Sequence, residues 1–217
     1  MRGNASSRYG AAMDIDARLQ EYAEKVSSPH DPLLVELSDE TRRSLGSAMM
    51  LTGPVAGRLL ELLVWTQQPR RVLEVGTFSG HATLSMAAAL PADGHIDTCE
   101  LDPGHAAVAQ AYIDQSPWAG QVTVHIGPAG ETIDRLTGSF DFVFMDADKE
   151  GYISYYETIL PRLAKHGLIV ADNTLHGGGV FDPGDPIAAF NAHVAADSRS
   201  SQVLLTVRDG MTLIRHA

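Results

Sequence analysis

Residues 72–80 read VLEVGTFSG, an apolar run that is broken by one acid and followed by two glycines. The run from Val72 to Val75 is typical of a buried strand, and the glycines allow the sharp turn that leads into a helix. Further along the chain, short apolar runs alternate with helical stretches. This alternation predicts an α/β fold with a doubly wound, mostly parallel sheet around the first strand.

The same patterns locate the other elements. Helices are predicted before the sheet at residues 14–26, 33–45 and 53–65. Strands are predicted at residues 96–101, 122–126, 140–145 and 168–171, with helices at residues 103–115, 131–136, 152–163 and 186–196. Asp209-Gly210 separates two final strand-like runs and is typical of a hairpin, so we expect the last strand to be antiparallel.

The chain length limits the number of domains. With 217 residues, the chain fits one α/β domain, expected over residues 14–217. Residues 1–13 are rich in glycine, serine, arginine and alanine and are expected to form a flexible leader. The pattern leaves open whether Met1 or Met13 is the start.

Charge and cysteine content exclude several classes of protein. The formal net charge is −11, which repels both nucleic acid and anionic lipid, so we expect neither as a partner. No apolar stretch is long enough to span a bilayer. The single cysteine, Cys99, cannot form an internal disulfide, and this favours a cytoplasmic location.

A cofactor loop is predicted where the first strand ends. The pattern is acid-x-Gly-x-x-x-Gly, which lacks the closely spaced glycines that seat a pyrophosphate in dinucleotide sites. The acid, Glu74, suits a ligand with an ammonium group and no phosphate, as in S-adenosylmethionine. Glu100 ends the second strand, where a carboxylate can accept two hydrogen bonds from a ribose diol. Alone, the loop could also be an ordinary strand-turn-helix with an exposed Glu74.

Oxygen side chains follow the fourth and fifth strands. Asp146, Asp172 and Asn173 should meet at the sheet edge, and they form an oxygen set that suits Mg²⁺, with Mn²⁺ or Ca²⁺ as alternatives. Three protein ligands leave coordination positions on the metal that the two oxygens of a vicinal diol could fill. Lys149 could take the hydroxyl proton as general base. Taken separately, Asp148 could instead cap a helix beside a solvated Lys149.

Taken together, four segments resemble the cation-dependent O-methyltransferases, a family that includes plant caffeoyl-CoA and animal catechol O-methyltransferases. These segments are MLT at 50–52, VLEVGTFSG at 72–80, FMDADK at 144–149 and DNTL at 172–175. The likeness runs from about residue 14 to the end of the chain. It implies a Rossmann-like seven-strand sheet with an antiparallel C-terminal hairpin strand. It also implies methyl transfer from S-adenosylmethionine to a hydroxyl of a small catechol-like acceptor.

The resemblance also implies roles for single residues. Asp146, Asp172 and Asn173 match the metal ligands, and Lys149 matches the general base. Seven positions match the family's cofactor site: Thr52, Glu74, Gly76, Thr77, Glu100, Ala129 and Asp148. Ser79, in the same loop as Gly76, is added to this predicted cofactor set. The family is commonly dimeric, so a homodimer is implied.

Three positions depart from the family pattern. Ala82 stands where the family often has a hydroxyl residue, and His176 and Gly177 replace the tryptophan and asparagine of the plant enzymes. His176 is interpreted as a loop residue in preference to a substrate contact, and the change argues against caffeoyl-CoA as the acceptor.

Three other functions are weighed against methyl transfer to a small diol. An NAD-dependent oxidoreductase needs a three-glycine phosphate loop, which the chain lacks. A non-catalytic small-molecule-binding protein on the same fold would not need Lys149 or the oxygen set. A nucleic-acid methyltransferase is disfavoured by the negative charge.

Overall fold

The structure is a computed structural model that describes residues 17–45 and 50–217. The expected leader at residues 1–13, the choice between Met1 and Met13, and the start of the first predicted helix at residues 14–16 lie outside the described residues. The predicted single domain over residues 14–217 stays a prediction.

Eight α-helices and seven strands lie in the described ranges. The helices are α1 Ala17–Val26, α2 Pro32–Ser44, α3 Pro54–Gln67, α4 His81–Ala87, α5 Pro103–Gln115, α6 Ala129–Arg135, α7 Tyr152–Ile159 and α8 Pro186–Ala196. The strands are β1 Arg71–Val75, β2 His95–Glu100, β3 Val122–Ile126, β4 Phe140–Met145, β5 Leu163–Asp172, β6 Ser200–Leu205 and β7 Met211–His216. None of the described helices combines the length and the apolar character needed to cross a membrane.

All seven strands form one sheet in the order β3-β2-β1-β4-β5-β7-β6. Strands β1 to β5 are parallel, whereas β7 is antiparallel to both β5 and β6. The predicted Rossmann-like sheet with its antiparallel hairpin strand is therefore confirmed.

The chain reverses its direction of winding at β1. This strand pairs with β2 on one side and β4 on the other, and the amide of Asp146 donates to the carbonyl of Val75 at 2.8 Å. In sheets of this kind a crevice opens at the carboxyl ends of the two strands beside the reversal. The residues after Val75 and Met145 therefore face a common opening.

Side chains that alternate along the central strands form two apolar cores. On one face, Val72, Phe142 and Phe144 pack with residues of α2, α3, α4 and α5. On the other face, Leu73, Val143 and Met145 pack with residues of α6, α7 and α8. Because both faces of β1 and β4 are largely buried, apolar side chains predominate in both strands, and the polar exceptions are Arg71, Glu74 and Asp141.

Three helices start at an Asp-Pro pair. Asp31, Asp102 and Asp185 each accept hydrogen bonds from backbone amides of the following turn, and proline occupies the first helical position. The carboxylate satisfies amides that have no partner within the helix, and proline has no amide to lose there. These pairs determine the starts of α2, α5 and α8.

The two largest differences from the predicted boundaries are at the end of α7 and at the start of β5. Helix α7 ends at Ile159 and passes into a 3₁₀ turn at Leu160–Arg162, because Pro161 has no amide to continue the helix. Strand β5 begins at Leu163, before the predicted residue 168, and its early part is polar because Lys165 and His166 are exposed there. An apolar pattern therefore detects only the buried half of this strand.

Candidate active site

A cavity of about 700 Å³ opens over the carboxyl ends of β1, β2, β4 and β5. Most of the residues predicted for the site lie on its wall, and they come from both halves of the sheet. These residues are Thr52, Gly76, Glu100, Ala129, Asp146, Asp148, Lys149, Asp172 and Asn173. The fold thus brings together side chains that are widely separated in sequence.

The turn after β1 requires glycine at position 76. Gly76 has a φ of 101°, and a Cβ at this position would lie 2.0 Å from the carbonyl oxygen of Asp146. Any side chain there would collide with the backbone that leads from β4 into the predicted metal site. The cofactor loop and this part of the oxygen set are therefore packed directly against each other.

Glu74 lies beneath the cavity and not on its wall. It is fully buried, and its Oε2 accepts hydrogen bonds from the hydroxyls of Thr83 and Thr98. Its Oε1 is buried without a hydrogen-bond partner in the described part of the chain. Burial raises the pKa of Glu74 to about 8, and hydrogen bonds from the two threonines only partly oppose this rise.

Thr77 and Ser79 line a much smaller pocket that adjoins the cavity and shares Thr52, Gly76 and Asp146 with it. Thr77 Oγ1 lies 2.5 Å from Thr98 Oγ1, which joins it to the network around Glu74. Ser79 Oγ is buried and, among the described residues, has no partner. Ala82 also lines this pocket, and the hydroxyl of the next residue, Thr83, reaches Glu74 instead.

Glu100 is held by backbone amides at the edge of the cavity. The amide of Phe78 donates to its Oε2 at 2.7 Å, and the amide of Asp102 donates to its Oε1 at 2.9 Å. His105 Nδ1 lies 3.6 Å from Oε1, and the His105 ring packs edge-on against Phe78. The carboxylate is therefore fixed in place beside two aromatic side chains.

The ammonium of Lys149 lies among the oxygens predicted to bind a metal. Its Nζ lies 3.0 Å from Asp146 Oδ1, 2.8 Å from Asn173 Oδ1 and 2.8 Å from the hydroxyl of Tyr152. Lys149 is half-buried and is not a solvated lysine at the start of a helix. The two acceptor side chains follow β4 and β5, which are adjacent strands, so their carboxyl ends bring the oxygens to one cation.

Asp172 adds a second carboxylate to this cluster. It is nearly fully buried and accepts a hydrogen bond from the amide of Asn173 at 2.8 Å. Burial, and next the negative charge of Asp146, raise the pKa of Asp172 to about 7. No three His, Cys, Asp or Glu side chains in the described ranges cluster suitably for a metal ion, so the third protein ligand would be the amide oxygen of Asn173.

Two tyrosines position side chains of the cavity. The hydroxyl of Tyr155 donates to Asp148 Oδ1 at 2.7 Å, and Tyr155 itself lines the cavity. Tyr152 is buried, and its hydroxyl reaches the backbone carbonyls of Met145 and Asp172 as well as Lys149. The carboxylate of Asp148 accepts no capping hydrogen bond from the amides of the turn that follows, so the alternative of a simple helix cap is not supported.

Sequence patterns missed several residues of the cavity wall. Phe78, His105, Tyr155 and Arg208 all line it; Phe78 lies within the predicted cofactor loop but was not singled out, and the other three belong to no motif of acids and glycines. Tyr155 could have been found by its position seven residues after Asp148, on a predicted helix. Arg208 could not, because it comes from the loop between β6 and β7.

His176 lies outside the cavity wall. Its Nδ1 lies 2.6 Å from Asp185 Oδ2, the same carboxylate that caps α8. It starts a 3₁₀ turn at His176–Phe181. This position agrees with the interpretation of His176 as a loop residue.

Comparison with known proteins identifies relatives of this chain. A sequence model for a family described as O-methyltransferase matches residues 24–217. Catechol O-methyltransferase of Niastella koreensis is 38% identical over 184 residues, which are 77% of this chain and 83% of that protein.

Solved structures are similar over nearly the whole chain. The SAH-bound methyltransferase PaMTH1 of Podospora anserina has a TM-score of 0.87 and 28% identity, covering 93% of this chain and 94% of that one. The O-methyltransferase TomG of Streptomyces achromogenes, involved in tomaymycin synthesis and solved with SAM, has a TM-score of 0.83 and 27% identity, covering 92% and 96%.

Proposed function

The chain belongs to the O-methyltransferase family and is an S-adenosylmethionine-dependent enzyme of that class, and we propose that its acceptor is a small vicinal diol, most simply a catechol. One hydroxyl of the acceptor would receive the methyl group. The observation that carries this proposal is the oxygen cluster of Asp146, Asp172 and Asn173 beside Lys149, on the wall of the cavity that also contains the cofactor loop.

The oxygen cluster suits a divalent cation. In the structure the ammonium of Lys149 already bridges Asp146 and Asn173, so a positive charge is favoured at this position. Asp146, Asp172 and Asn173 would hold Mg²⁺, and Mn²⁺ or Ca²⁺ could use the same oxygen ligands. When bound, such a cation makes a hydroxyl beside it more acidic.

Lys149 would act as the general base. Its Nζ is within hydrogen-bond distance of two of the proposed ligands, so it adjoins any hydroxyl that is held there. To accept the hydroxyl proton, the ammonium must first give up one of its own. The hydroxyl of Tyr152, anchored to two backbone carbonyls, positions the Lys149 side chain.

The remaining predicted residues would bind S-adenosylmethionine. Buried polar atoms nearly always have a hydrogen-bond partner, but Glu74 Oε1 and Ser79 Oγ have none in the described part of the chain. The ammonium group of the cofactor could supply the missing donor near these atoms. Glu100, which lines the cavity, would accept hydrogen bonds from the ribose hydroxyls.

A catechol is favoured over a larger thioester. A relative with 38% identity is named catechol O-methyltransferase. The departures from the plant pattern at His176 and Gly177 add no further support, because neither residue lines the cavity and His176 is paired with Asp185. Family membership leaves no support for the NAD-dependent oxidoreductase, and measured turnover would exclude the non-catalytic alternative.

We also propose that the protein is a homodimer. Large apolar side chains on α1 and α3 remain more than half exposed in a single copy: Leu19, Tyr22 and Val26, and Leu62 and Trp65. Several exposed apolar side chains on neighbouring helices are typical of a surface that a partner covers.

The experiment that tests the function is methyl transfer from labelled S-adenosylmethionine to a panel of catechols, with Mg²⁺ and then with excess EDTA. We expect methylated catechol that EDTA abolishes and added Mg²⁺ restores. Transfer that is unaffected by EDTA would contradict the metal site. Binding of S-adenosylhomocysteine without transfer to any catechol would contradict the acceptor class and leave the cofactor site supported.

A further inference from the structure

A second cavity of about 330 Å³ adjoins the first, between α1, the start of α3 and the loop that joins β6 to β7. Its wall combines apolar side chains such as Leu19, Ala23 and Val55 with three charged ones, Glu24, Arg42 and Arg208. Leu51 and Arg208 belong to the walls of both cavities. An acceptor bound in the main cavity could therefore extend past Arg208 into the second one.

Arg208 differs from the other arginines around it in having no acidic partner in the described ranges. Arg42, on the wall of the same cavity, pairs with Asp39 at 2.9 Å, and Arg58 pairs with Glu61. Arg208 uses Nη1 to donate to the carbonyls of Leu51 and Thr52. Its Nη2 and Nε make no hydrogen bond to any residue that the structure describes.

The backbone of the loop between β6 and β7 determines the position of Arg208. The residue has a φ of 48°, a left-handed conformation that is unfavourable for a side chain with a Cβ. The loop is fixed by hydrogen bonds from the amides of Thr174 and Leu175 to the carbonyls of Gly210 and Asp209. The loop that carries Arg208 is thus held next to the segment that follows Asp172 and Asn173, while the guanidinium itself contacts Leu51 and Thr52.

Arg208 lines the same cavity as the proposed metal ligands Asp146, Asp172 and Asn173. A half-buried guanidinium without a carboxylate carries a desolvation cost that an incoming anion would offset. The planar fork of arginine fits a carboxylate well, since two of its nitrogens can bind the two oxygens.

We propose that the acceptor carries a carboxylate on a short tail from its diol ring, and that Arg208 binds this carboxylate where the two cavities meet. This inference rests on the proposed transfer to a vicinal diol and specifies its substrate class. With a net charge of −11, the protein as a whole repels anions, so a preference for an acidic acceptor requires a local cation of this kind.

The test compares two acceptors that differ only in charge: dihydrocaffeate, a catechol with a propionate tail, and dihydrocaffeamide, its neutral amide. The readout is the ratio of kcat/KM for the acid to kcat/KM for the amide. We expect a ratio of about tenfold or more, the usual effect of one charge-assisted hydrogen bond. In Arg208→Gln the ratio should fall to near one, and in Arg208→Lys it should be intermediate.

The ratio separates acceptor recognition from damage to the fold. Loss of Arg208 also removes the hydrogen bonds to Leu51 and Thr52, but both acceptors meet the same altered cofactor site. Arg42→Gln is the matched control, because its guanidinium lines the same cavity and is already engaged by Asp39. Its ratio should match that of the unmodified protein.

Failure of this inference can be distinguished from failure of the proposed function. Equal kcat/KM for the two acceptors in the unmodified protein would contradict the role of Arg208. So would a ratio near one in Arg42→Gln together with an unchanged ratio in Arg208→Gln. In both cases methyl transfer to diols would still stand. If neither acceptor is methylated, calorimetry with Mg²⁺ and S-adenosylhomocysteine decides. Binding of dihydrocaffeate that depends on Arg208 would support the anion site, and no such binding would overturn it.

Discussion

Gly76 and Asp146 meet backbone to backbone, so closely that a Cβ on Gly76 would lie 2.0 Å from the carbonyl oxygen of Asp146. The first residue belongs to the proposed cofactor loop and the second to the proposed metal site. Their contact, at the place where the sheet reverses its winding, fixes the two parts of the site relative to each other.

Gly76→Ala should therefore damage both parts of the site together. The left-handed φ and the overlap with Asp146 should lower the free energy of unfolding by about 3 kcal/mol or more. Urea denaturation and S-adenosylhomocysteine titration would measure the two effects. Gly130→Ala is the control, because a Cβ there meets nothing within 4 Å. If Gly76→Ala is as stable as this control, the described contact is wrong.

Lys149→Ala should reduce turnover by roughly a hundredfold to ten-thousandfold, the range for loss of a general base. Affinity for S-adenosylhomocysteine should change little, because Lys149 contacts Asp146, Asn173 and Tyr152 and not the cofactor loop. Steady-state kinetics and calorimetry would separate the two. The exposed Lys165→Ala serves as control. Equal loss of turnover and cofactor affinity would argue against a base.

Asp146→Ala should abolish the activity that depends on added Mg²⁺, since it removes one of two proposed carboxylate ligands. The measurement is the rate of catechol methylation over a range of Mg²⁺ concentrations, together with Mn²⁺ binding by paramagnetic resonance. Asp134→Ala, an exposed aspartate on α6, is the matched control. An unchanged Mg²⁺ response in Asp146→Ala would show that the metal is bound elsewhere.

Glu74 should make stability depend on pH in a defined direction. Its folded pKa of about 8 lies above the ordinary value of 4.5, so the folded state holds the proton more tightly. The resulting stability is fully present below pH 4.5 and is lost as the pH rises toward 8. At about 1.4 kcal/mol per pKa unit, the change amounts to a few kcal/mol.

Glu74→Gln should remove this dependence. Relative to the unmodified protein, the unfolding free energy of Glu74→Gln should be a few kcal/mol higher at pH ~8.5 than at pH ~5. Urea denaturation at both values gives the comparison. A difference that is constant between the two values would mean that Glu74 is already ionised in the folded protein.

The proposed homodimer predicts that a charge on the exposed part of α3 will dissociate it. Trp65→Glu should shift the mass measured by light scattering from two chains to one while the protein remains folded by circular dichroism. Phe181→Ser is the control, because Phe181 is also exposed but lies in the turn after β5. A single-chain mass for the unmodified protein would contradict the homodimer outright.

Much of the fold followed from local patterns in the sequence. The alternation of buried runs and helices predicted β1 to β5, because both faces of the central strands are covered and apolar side chains predominate there, and the Asp209-Gly210 hairpin pattern predicted β6 and β7. Asp-Pro pairs determined three helix starts through hydrogen bonds within a few residues. The polar beginning of β5 was missed because its side chains face water.

The position of Gly76, Lys149 and most of the acids around one cavity could be predicted, since these residues stand at or just after the ends of strands whose carboxyl ends meet at one edge of the sheet. Tertiary structure alone decided that Glu74 is buried beneath the cavity and that Lys149 bridges Asp146 and Asn173. It also brought Arg208 from the last hairpin to Leu51 and Thr52, more than 150 residues earlier in the chain. Sequence patterns capture periodicity and neighbours along the chain, whereas these contacts arise from the packing of distant segments.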